Sequence, residues 1–256
     1  MIGQAIREVE LGALFVVNHS GGKDSQAMFI ELISKIPPNN MVVVHASLGV
    51  AEWPGALELA EKQARDAGVP FIVARARKTF FEMVDSRFES RPEVPSWPSA
   101  KHRQCTSDLK RGPITREVRR YAKARGFSRI VNCMGLRAEE SPGRAKRSEW
   151  KEHAEHGRAG RSWFDWLPIH QMSTDEVFSL IAASGQTPHY AYLEGNERLS
   201  CVFCIMASAA DLKHGALKNP KLYAQYCTLE AKTGYTMHMS QKSLPEITGI
   251  PFIEIK

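Results

Sequence analysis

Leu14-Phe15-Val16-Val17 is a short apolar run rich in β-formers, and it stops at Ser20-Gly21-Gly22 before a helical pattern begins. From Asp24 to Ile36, the residues Ala27, Met28, Ile30, Leu32, Ile33 and Ile36 recur at helical spacing until Pro37-Pro38 ends the run. The same alternation continues. Met41–His45 reads as a second buried strand, Pro54 opens a helix to about Ala67, and Phe71–Ala74 reads as a third strand. A helix over Ile114–Ala124 precedes a fourth strand, Ile130–Met134. Short apolar strands alternating with helices predict an α/β fold with a doubly wound, mostly parallel sheet. Ligands in such sheets sit at the carboxyl ends of the strands, which puts the Ser20, His45 and Gly135 regions on one rim.

The C-terminal part differs. Ser173-Thr174-Asp175-Glu176 is a capping box opening a helix to about Ala183, and Asn219-Pro220 starts another that Gly234 closes. This predicts a nucleotide-binding core over 1–170 and, over 171–256, a helical C-terminal layer packed on that core. No repeat or low-complexity tract is visible. Arg7, Glu8 and Glu10 interrupt the N-terminus, and Ala13–Val17 is too short for a signal or a span, so a cytoplasmic protein without membrane contact is expected.

Charge is uneven along the chain. Residues 101–161 hold 17 basic and 7 acidic side chains, a balance of +10 within a total of +6, so the rest is mildly acidic. A basic middle suggests an anionic partner, either a nucleotide or a nucleic-acid backbone.

Ser20-Gly21-Gly22-Lys23-Asp24-Ser25 joins the first strand to the first helix. Two glycines permit a tight turn whose N–H groups converge on an anion, and the helix dipole adds to the attraction. Lys23 supplies a point charge, and the Ser20 and Ser25 hydroxyls could donate to phosphate oxygens. A Walker A loop is excluded, because Val17 stands where its first glycine belongs and Asp24 follows the lysine. Asp24 could hold Mg²⁺ on the phosphates or simply favour the helix start.

This loop resembles the PP-loop of the N-type ATP pyrophosphatases and PAPS reductases. Gly135-Leu136-Arg137, Arg103-Gln104-Cys105-Thr106 with Leu109-Lys110, and Arg198-Leu199-Ser200-Cys201-Val202-Phe203-Cys204 resemble further segments of that superfamily, over about residues 13–230. The resemblance implies an adenine nucleotide alpha hydrolase-like fold, with ATP (or PAPS or APS) as ligand and Lys23, Asp24 and Arg137 as catalytic residues. Arg137 is expected to clamp phosphate or sulfate through its planar guanidinium, with Arg144 beside it. Arg144 and Glu140 equally suit a surface loop of mixed charge. His45 is either near adenine or ribose or a satisfied buried histidine. Glu52 and Trp53 either shape the pocket or, for Trp53, join the core.

The five cysteines are odd in number, which argues against a disulfide framework. Cys201-x-x-Cys204 fits a redox dithiol, a structural zinc site needing two more ligands, or an iron–sulfur cluster. The resemblance to cluster-bearing relatives implies an iron–sulfur cluster of the 4Fe-4S type on Cys105, Cys201 and Cys204. Cys227 is either the fourth ligand or core. Arg103, Lys110 and Arg198 are expected to lower the thiol pKa values. Cys133 reads as packing.

Two chemistries run on this scaffold in the family. An ATP pyrophosphatase adenylates an acceptor for sulfur transfer, whereas a sulfonucleotide reductase attacks sulfate with a cysteine on a C-terminal Glu-Cys-Gly tail. This chain ends Thr248-Gly249-Ile250-Pro251-Phe252-Ile253-Glu254-Ile255-Lys256, without a cysteine after Cys227. The expectation is therefore an ATP pyrophosphatase, most similar to those of DNA phosphorothioation systems. Arg111–Arg129 and Arg144–Arg161 are either a surface for a nucleic-acid acceptor or a solvated, arginine-rich helix face, and the resemblance alone implies a cysteine desulfurase as sulfur donor. The alternatives are a PAPS/APS reductase and a non-catalytic nucleotide-binding subunit, and a homo-oligomer is allowed.

Overall fold

The structure is a computed structural model that describes residues 2–157 and 160–252. The charge of Arg158 and the tail expectation at 253–256 lie outside the described residues. In chain order the first elements are α1 (Ile2–Glu10), β1 (Leu14–Asn18), α2 (Lys23–Ile33), β2 (Met41–Ser47), α3 (Ala56–Asp66), β3 (Phe71–Arg75) and α4 (Phe80–Ser90). Then come α5 (Gln104–Thr106), α6 (Gly112–Arg125), β4 (Arg129–Cys133), α7 (Pro142–Ala145), β5 (Trp150–Glu152) and β6 (Ser162–Trp166). The last are α8 (Thr174–Ala183), α9 (Tyr190–Leu193), α10 (Ala209–Lys218), α11 (Pro220–Thr233) and α12 (Leu244–Thr248).

The strands form one sheet in the order β3-β2-β1-β4-β6-β5. β1 pairs in parallel with β2 and with β4, β4 pairs in parallel with β6, and β5 closes the edge antiparallel to β6. Along β1 the side chains alternate between two cores. Phe15 and Val17 pack with Met28, Val177 and Ile181 on one face, while Leu14 and Val16 pack with Val118 and Ala122 on the other. Both faces are thus covered by helices, which is why β1 and β2 read as continuous apolar runs. The chain leaves β1 toward β2 on one side and β4 lies on the other, so the carboxyl ends of β1 and β4 make a topological switch point.

The chain forms two compact units. The first contains the residues up to Ala46, Gly55–Ala74 and Ile114–His189. The second joins Ser47–Pro54, Arg75–Pro113 and the chain from Tyr190 onward. This differs from the expected boundary at 170. The capping-box helix α8 belongs to the sheet unit, and two inner segments join the C-terminal residues. The reason is burial: the second unit has its own apolar cluster, centred on Tyr226. The Tyr226 ring stacks with Phe80 (5.5 Å) and Trp97 (6.0 Å) and also meets Phe81 and Phe203. Trp53 is core in this unit, packed at 5.5 Å from the ring of His214. Among the described residues no helix is long and apolar enough to cross a membrane.

Candidate functional site

The Ser20–Ser25 loop lies at the switch point, between β1 and the first turn of α2. Gly22 is the N-cap of α2 and has no side chain to cap it. Gly21 adopts φ +77°, and a Cβ there would stand 2.4 Å from the Ala56 carbonyl oxygen at the start of α3. At the end of β4, a Cβ on Gly135 would stand 2.9 Å from the Asp24 carbonyl oxygen. Both glycines are thus required by close backbone approach.

The side chains of the loop differ in burial and partners. Ser25 is buried, donates from Oγ to the Gly22 carbonyl at 2.8 Å and accepts the Ser20 N–H at 3.2 Å. Its hydroxyl is therefore used within the turn, whereas Ser20 is exposed. Lys23 is buried, with Nζ 3.3 Å from Asp24 Oδ2.

Arg137 is placed differently from the expectation of a phosphate clamp. Its side chain is only 3% exposed, and Nε donates to Asp24 Oδ1 at 2.6 Å. Nη1 donates to Glu139 (2.8 Å) and to the Met172 carbonyl (3.1 Å), and Nη2 donates to Thr174 Oγ1 (3.1 Å). Burial alone would lower the Arg137 pKa, but the charge of Asp24 and the hydrogen bonds of Asp24 and Glu139 raise it overall. Asp24 therefore faces two cations, one on each carboxylate oxygen. That arrangement does not fit a direct Mg²⁺ ligand, since the ion would have to displace both. Arg144 pairs with Glu140, whose carboxylate also accepts the Arg137 backbone N–H at 2.9 Å.

His19 was not anticipated, although it stands directly before the loop at the end of β1. It is 1% exposed, its Nε2 lies 2.6 Å from Gln63 Oε1, and its Nδ1 accepts the Gly21 N–H at 3.1 Å. Those partners define the neutral tautomer with its proton on Nε2. Gln63 in turn donates to Gln186, as does Gln26, so a buried amide network braces the turn from behind. His45 is also buried and donates from Nδ1 to the His19 carbonyl at 2.8 Å.

Burial first, opposed by the Gln63 hydrogen bond and reinforced by His45, lowers the His19 pKa to about 4. A histidine whose folded pKa is depressed contributes stability that is fully present above about 6.5 and is lost as pH falls toward 4. Between pH 7 and pH 4.5 the wild type should lose about 2–3 kcal/mol that a His19→Gln variant does not lose. Urea denaturation of both proteins across that window checks this. Equal pH slopes would remove His19 from the loop's support.

In the second unit, three of the five cysteines gather. Gln104–Thr106 runs into a π-helical turn, Ser107–Arg111, whose wider spacing sets Lys110 one turn beyond Cys105. Cys201 is held by backbone pairing with Glu52, and the Val202 N–H donates to the Ala51 carbonyl at 3.0 Å. Lys110 is raised above its ordinary pKa, first by Cys201 and then, against burial, by Cys204, Cys105 and Glu52. Lys110 is thus the shared basic neighbour of all three sulfurs. Tyr226, 0% exposed, has the same three cysteines as electrostatic neighbours, and its Oη has no hydrogen-bond partner.

Cys105 and Cys201 do not follow the expected direction. Burial, only partly offset by Lys110, pushes Cys201 up to about 11, and burial likewise raises Cys105. Arg198 instead acts on Asp211. Cys227 sits apart. Burial raises it to about 11, and its neighbours are Tyr223 and Glu230. Cys133 is buried in the sheet core.

A set of three thiols, one ammonium and an orphaned buried phenol fits a soft, anionic sulfur-bound group in kind. Among the described residues, no three His, Cys, Asp or Glu side chains close on a single metal ion. Ligands on different irons of one cluster stand further apart than ligands on one ion, whose thiolates lie about 2.3 Å from the metal.

The comparisons with known proteins follow this geometry. The family described as phosphoadenosine phosphosulfate reductase domain matches residues 15–207. An uncharacterized 37.8 kDa protein in the gpa 5' region of Escherichia phage 186 is 29% identical over 116 residues, 45% of this chain and 34% of that protein. The chain thus spans about a third of the length of this curated relative. Among solved structures, a phosphoadenylyl-sulfate (PAPS) reductase from Candida auris in a phosphate complex gives a TM-score of 0.48 at 13% identity, covering 73% of this chain and 80% of that one. Candida glabrata FMN adenylyltransferase with FAD and inorganic pyrophosphate gives 0.45 at 12% identity, covering 75% and 55%. Three quarters of the chain, from β1 through the paired cysteines, lie within the family match, and the chain belongs to the phosphoadenosine phosphosulfate reductase domain family of the PP-loop superfamily.

Proposed function

We propose that this chain is an adenine-nucleotide-binding enzyme that splits ATP between its α and β phosphates. An acceptor oxygen attacks the α-phosphorus, the bond to the β-phosphate breaks, and pyrophosphate leaves. A sulfur nucleophile then displaces AMP from the adenylated acceptor. The observation that carries this reading is the uncapped start of α2, with Lys23 beside it and Ser20 exposed at its mouth.

In this reading the N–H groups of the turn and the Lys23 ammonium hold the outer phosphates, and Arg137 positions Asp24 so that Lys23 stays oriented. Gly135 and His45 border the nucleoside side through backbone. Mg²⁺ would ride on the phosphates and water, as this ion usually does. The basic middle suggests a nucleic acid as acceptor, and the family resemblance alone implies a cysteine desulfurase as sulfur donor.

Calorimetry with ATP tests the site. Lys23→Ala should weaken binding by about 1.5–3 kcal/mol, the range for hydrogen bonds to charged groups. Unchanged affinity would remove the loop from nucleotide binding. Pyrophosphate release from ATP with oligonucleotide present tests the reaction. Membership in the reductase family favours one second reading, sulfonucleotide reduction, and sulfite formed from PAPS or APS would establish it instead.

Cys105, Cys201 and Cys204 would hold an iron–sulfur cluster, with Lys110 offsetting its negative charge. When bound, such a cluster supplies an iron site able to carry sulfide or electrons. The raised thiol pKa values mean that metal must displace protons, so loading should improve as pH rises. Anaerobically purified protein should absorb broadly in the visible. Each of Cys105→Ser, Cys201→Ser and Cys204→Ser should lose that absorbance and most of the iron. Cys133→Ser and Cys227→Ser should keep both. Colourless protein carrying stoichiometric zinc would reject the cluster.

A further inference from the structure

Nine buried side-chain nitrogen or oxygen atoms among the described residues have no hydrogen-bond partner, and four of them fall on one part of the sheet unit. They are Arg119 Nε, His153 Nδ1, Arg161 Nε and Trp163 Nε1. The β5–β6 register explains why they meet. Lys151 lies opposite Asp165, and the His153 N–H donates to the Trp163 carbonyl at 2.7 Å, so His153 and Trp163 share a face with Lys151 and Asp165. Arg161 precedes Trp163 by two residues, just outside β6.

From α6, Arg119 Nη2 reaches His156 Nδ1 at 3.0 Å. The His156 ring stacks on His153 at 4.3 Å and lies 5.1 Å from Trp163. Trp163 is 2% exposed, and its indole N–H has no hydrogen-bond partner within the protein.

We propose that this face of the β5–β6 edge, with Arg119 of α6, is a binding site for the phosphodiester backbone of a nucleic acid. The inference rests on the acceptor part of the proposed function and names where that acceptor would dock. Arginine and indole N–H groups can only donate, and phosphate oxygens only accept, so one phosphate answers several unmade bonds at once. An anion suits the site better than a cation, since Asp165 already accepts from Asn132 at 2.8 Å and Glu155 is exposed. Burial, His153 and Arg119 hold the His156 pKa below its ordinary value, which leaves a neutral ring for stacking.

A polymer suits it better than a free anion, because the basic surface continues along α6. Arg116 and Arg120 share the single carboxylate of Glu117, and Lys123 and Lys151 are exposed.

Fluorescence anisotropy of the full chain with short labelled oligonucleotides, across a salt series, tests the site. Single-stranded DNA, duplex DNA and RNA of one sequence form the arms, and the tightest arm identifies the source of the backbone. In that arm the Arg119→Gln/Arg161→Gln double variant should lose about tenfold in affinity. Its salt slope should fall by about one to two, the loss of one or two phosphate contacts. Lys62→Gln on α3 should leave both unchanged. Because the double variant could destabilise the edge, imidazole NMR of the wild type supplies a second measurement, and His153 and His156 should shift on oligonucleotide addition.

Unchanged affinity and slope in the double variant, or no imidazole shift at saturation, would overturn the site. So would displacement of the oligonucleotide by equimolar inorganic phosphate. ATP calorimetry on the double variant should match wild type. Failure of ATP to bind wild type while the oligonucleotide binds through this face would remove the nucleotide reading and leave the docking site standing.

Discussion

Gly21→Ala is expected to destabilise the sheet unit by about 2–5 kcal/mol and to lower ATP affinity by more than tenfold. Two costs add. A left-handed backbone at φ +77° costs an alanine on the order of 1–2 kcal/mol. The new methyl would also stand 2.4 Å from the Ala56 carbonyl oxygen and 2.7 Å from its Cα, backbone atoms that cannot swing aside, and such overpacking costs about 1–3 kcal/mol. Gly12→Ala separates the two. Gly12 has a similar φ of +71°, with nothing within 4 Å of the added carbon, so it should cost only the strain. Urea denaturation of both variants, with ATP calorimetry on the first, gives the comparison. Equal losses would mean that the loop moves freely away from α3, and the tight turn would then be irrelevant to binding.

The Arg137 site should show the second large effect. Arg137→Ala removes a guanidinium that holds Asp24, Glu139, Thr174 and the Met172 carbonyl in one plane. Asp24, 21% exposed, loses a buried partner, whereas Glu139, 53% exposed, regains water. The cost should therefore lie near the lower end of the about 3–5 kcal/mol for truncating a buried pair. Arg137→Lys should recover little of it. One ammonium cannot reproduce the planar fork that reaches four groups on two sides. ATP affinity should fall in both variants, because Asp24 is freed to draw Lys23 away from the phosphates. Full recovery by lysine, in stability and in affinity, would show that charge alone matters here and that the geometry does not.

The loop, the strands around it and the paired cysteines were legible because each is written in neighbouring residues. Apolar runs of period two or none, helical spacing and a Gly-Gly turn depend on separations of four residues or fewer. β1, β2, β3 and β4 begin within a residue of where the pattern puts them. The antiparallel edge was not legible. β5 and β6 are three and five residues long and carry three tryptophans, too short and too aromatic to separate from core helix or loop. The grouping of α8 with the sheet and of two inner segments with the C-terminal residues was not legible for a related reason. Periodicity reports which face of an element is apolar, and it says nothing about which distant apolar face covers it.

From the amino-acid sequence alone came the doubly wound sheet, the Gly-Gly turn and the kinds of atoms available for chemistry. Local sterics and hydrophobic spacing suffice to determine those. Tertiary structure decided how these atoms are used. It turned Arg137 inward onto Asp24, 113 residues away, and set His19 against Gln63 so that the imidazole stays neutral. It also gathered Cys105 with Cys201 and Cys204 around Lys110 while leaving Cys227 with Tyr223. The physical reason is that a charge or a thiol takes its properties from burial and from partners within a few ångströms. Those partners come from segments brought together only when the sheet and the second apolar cluster close.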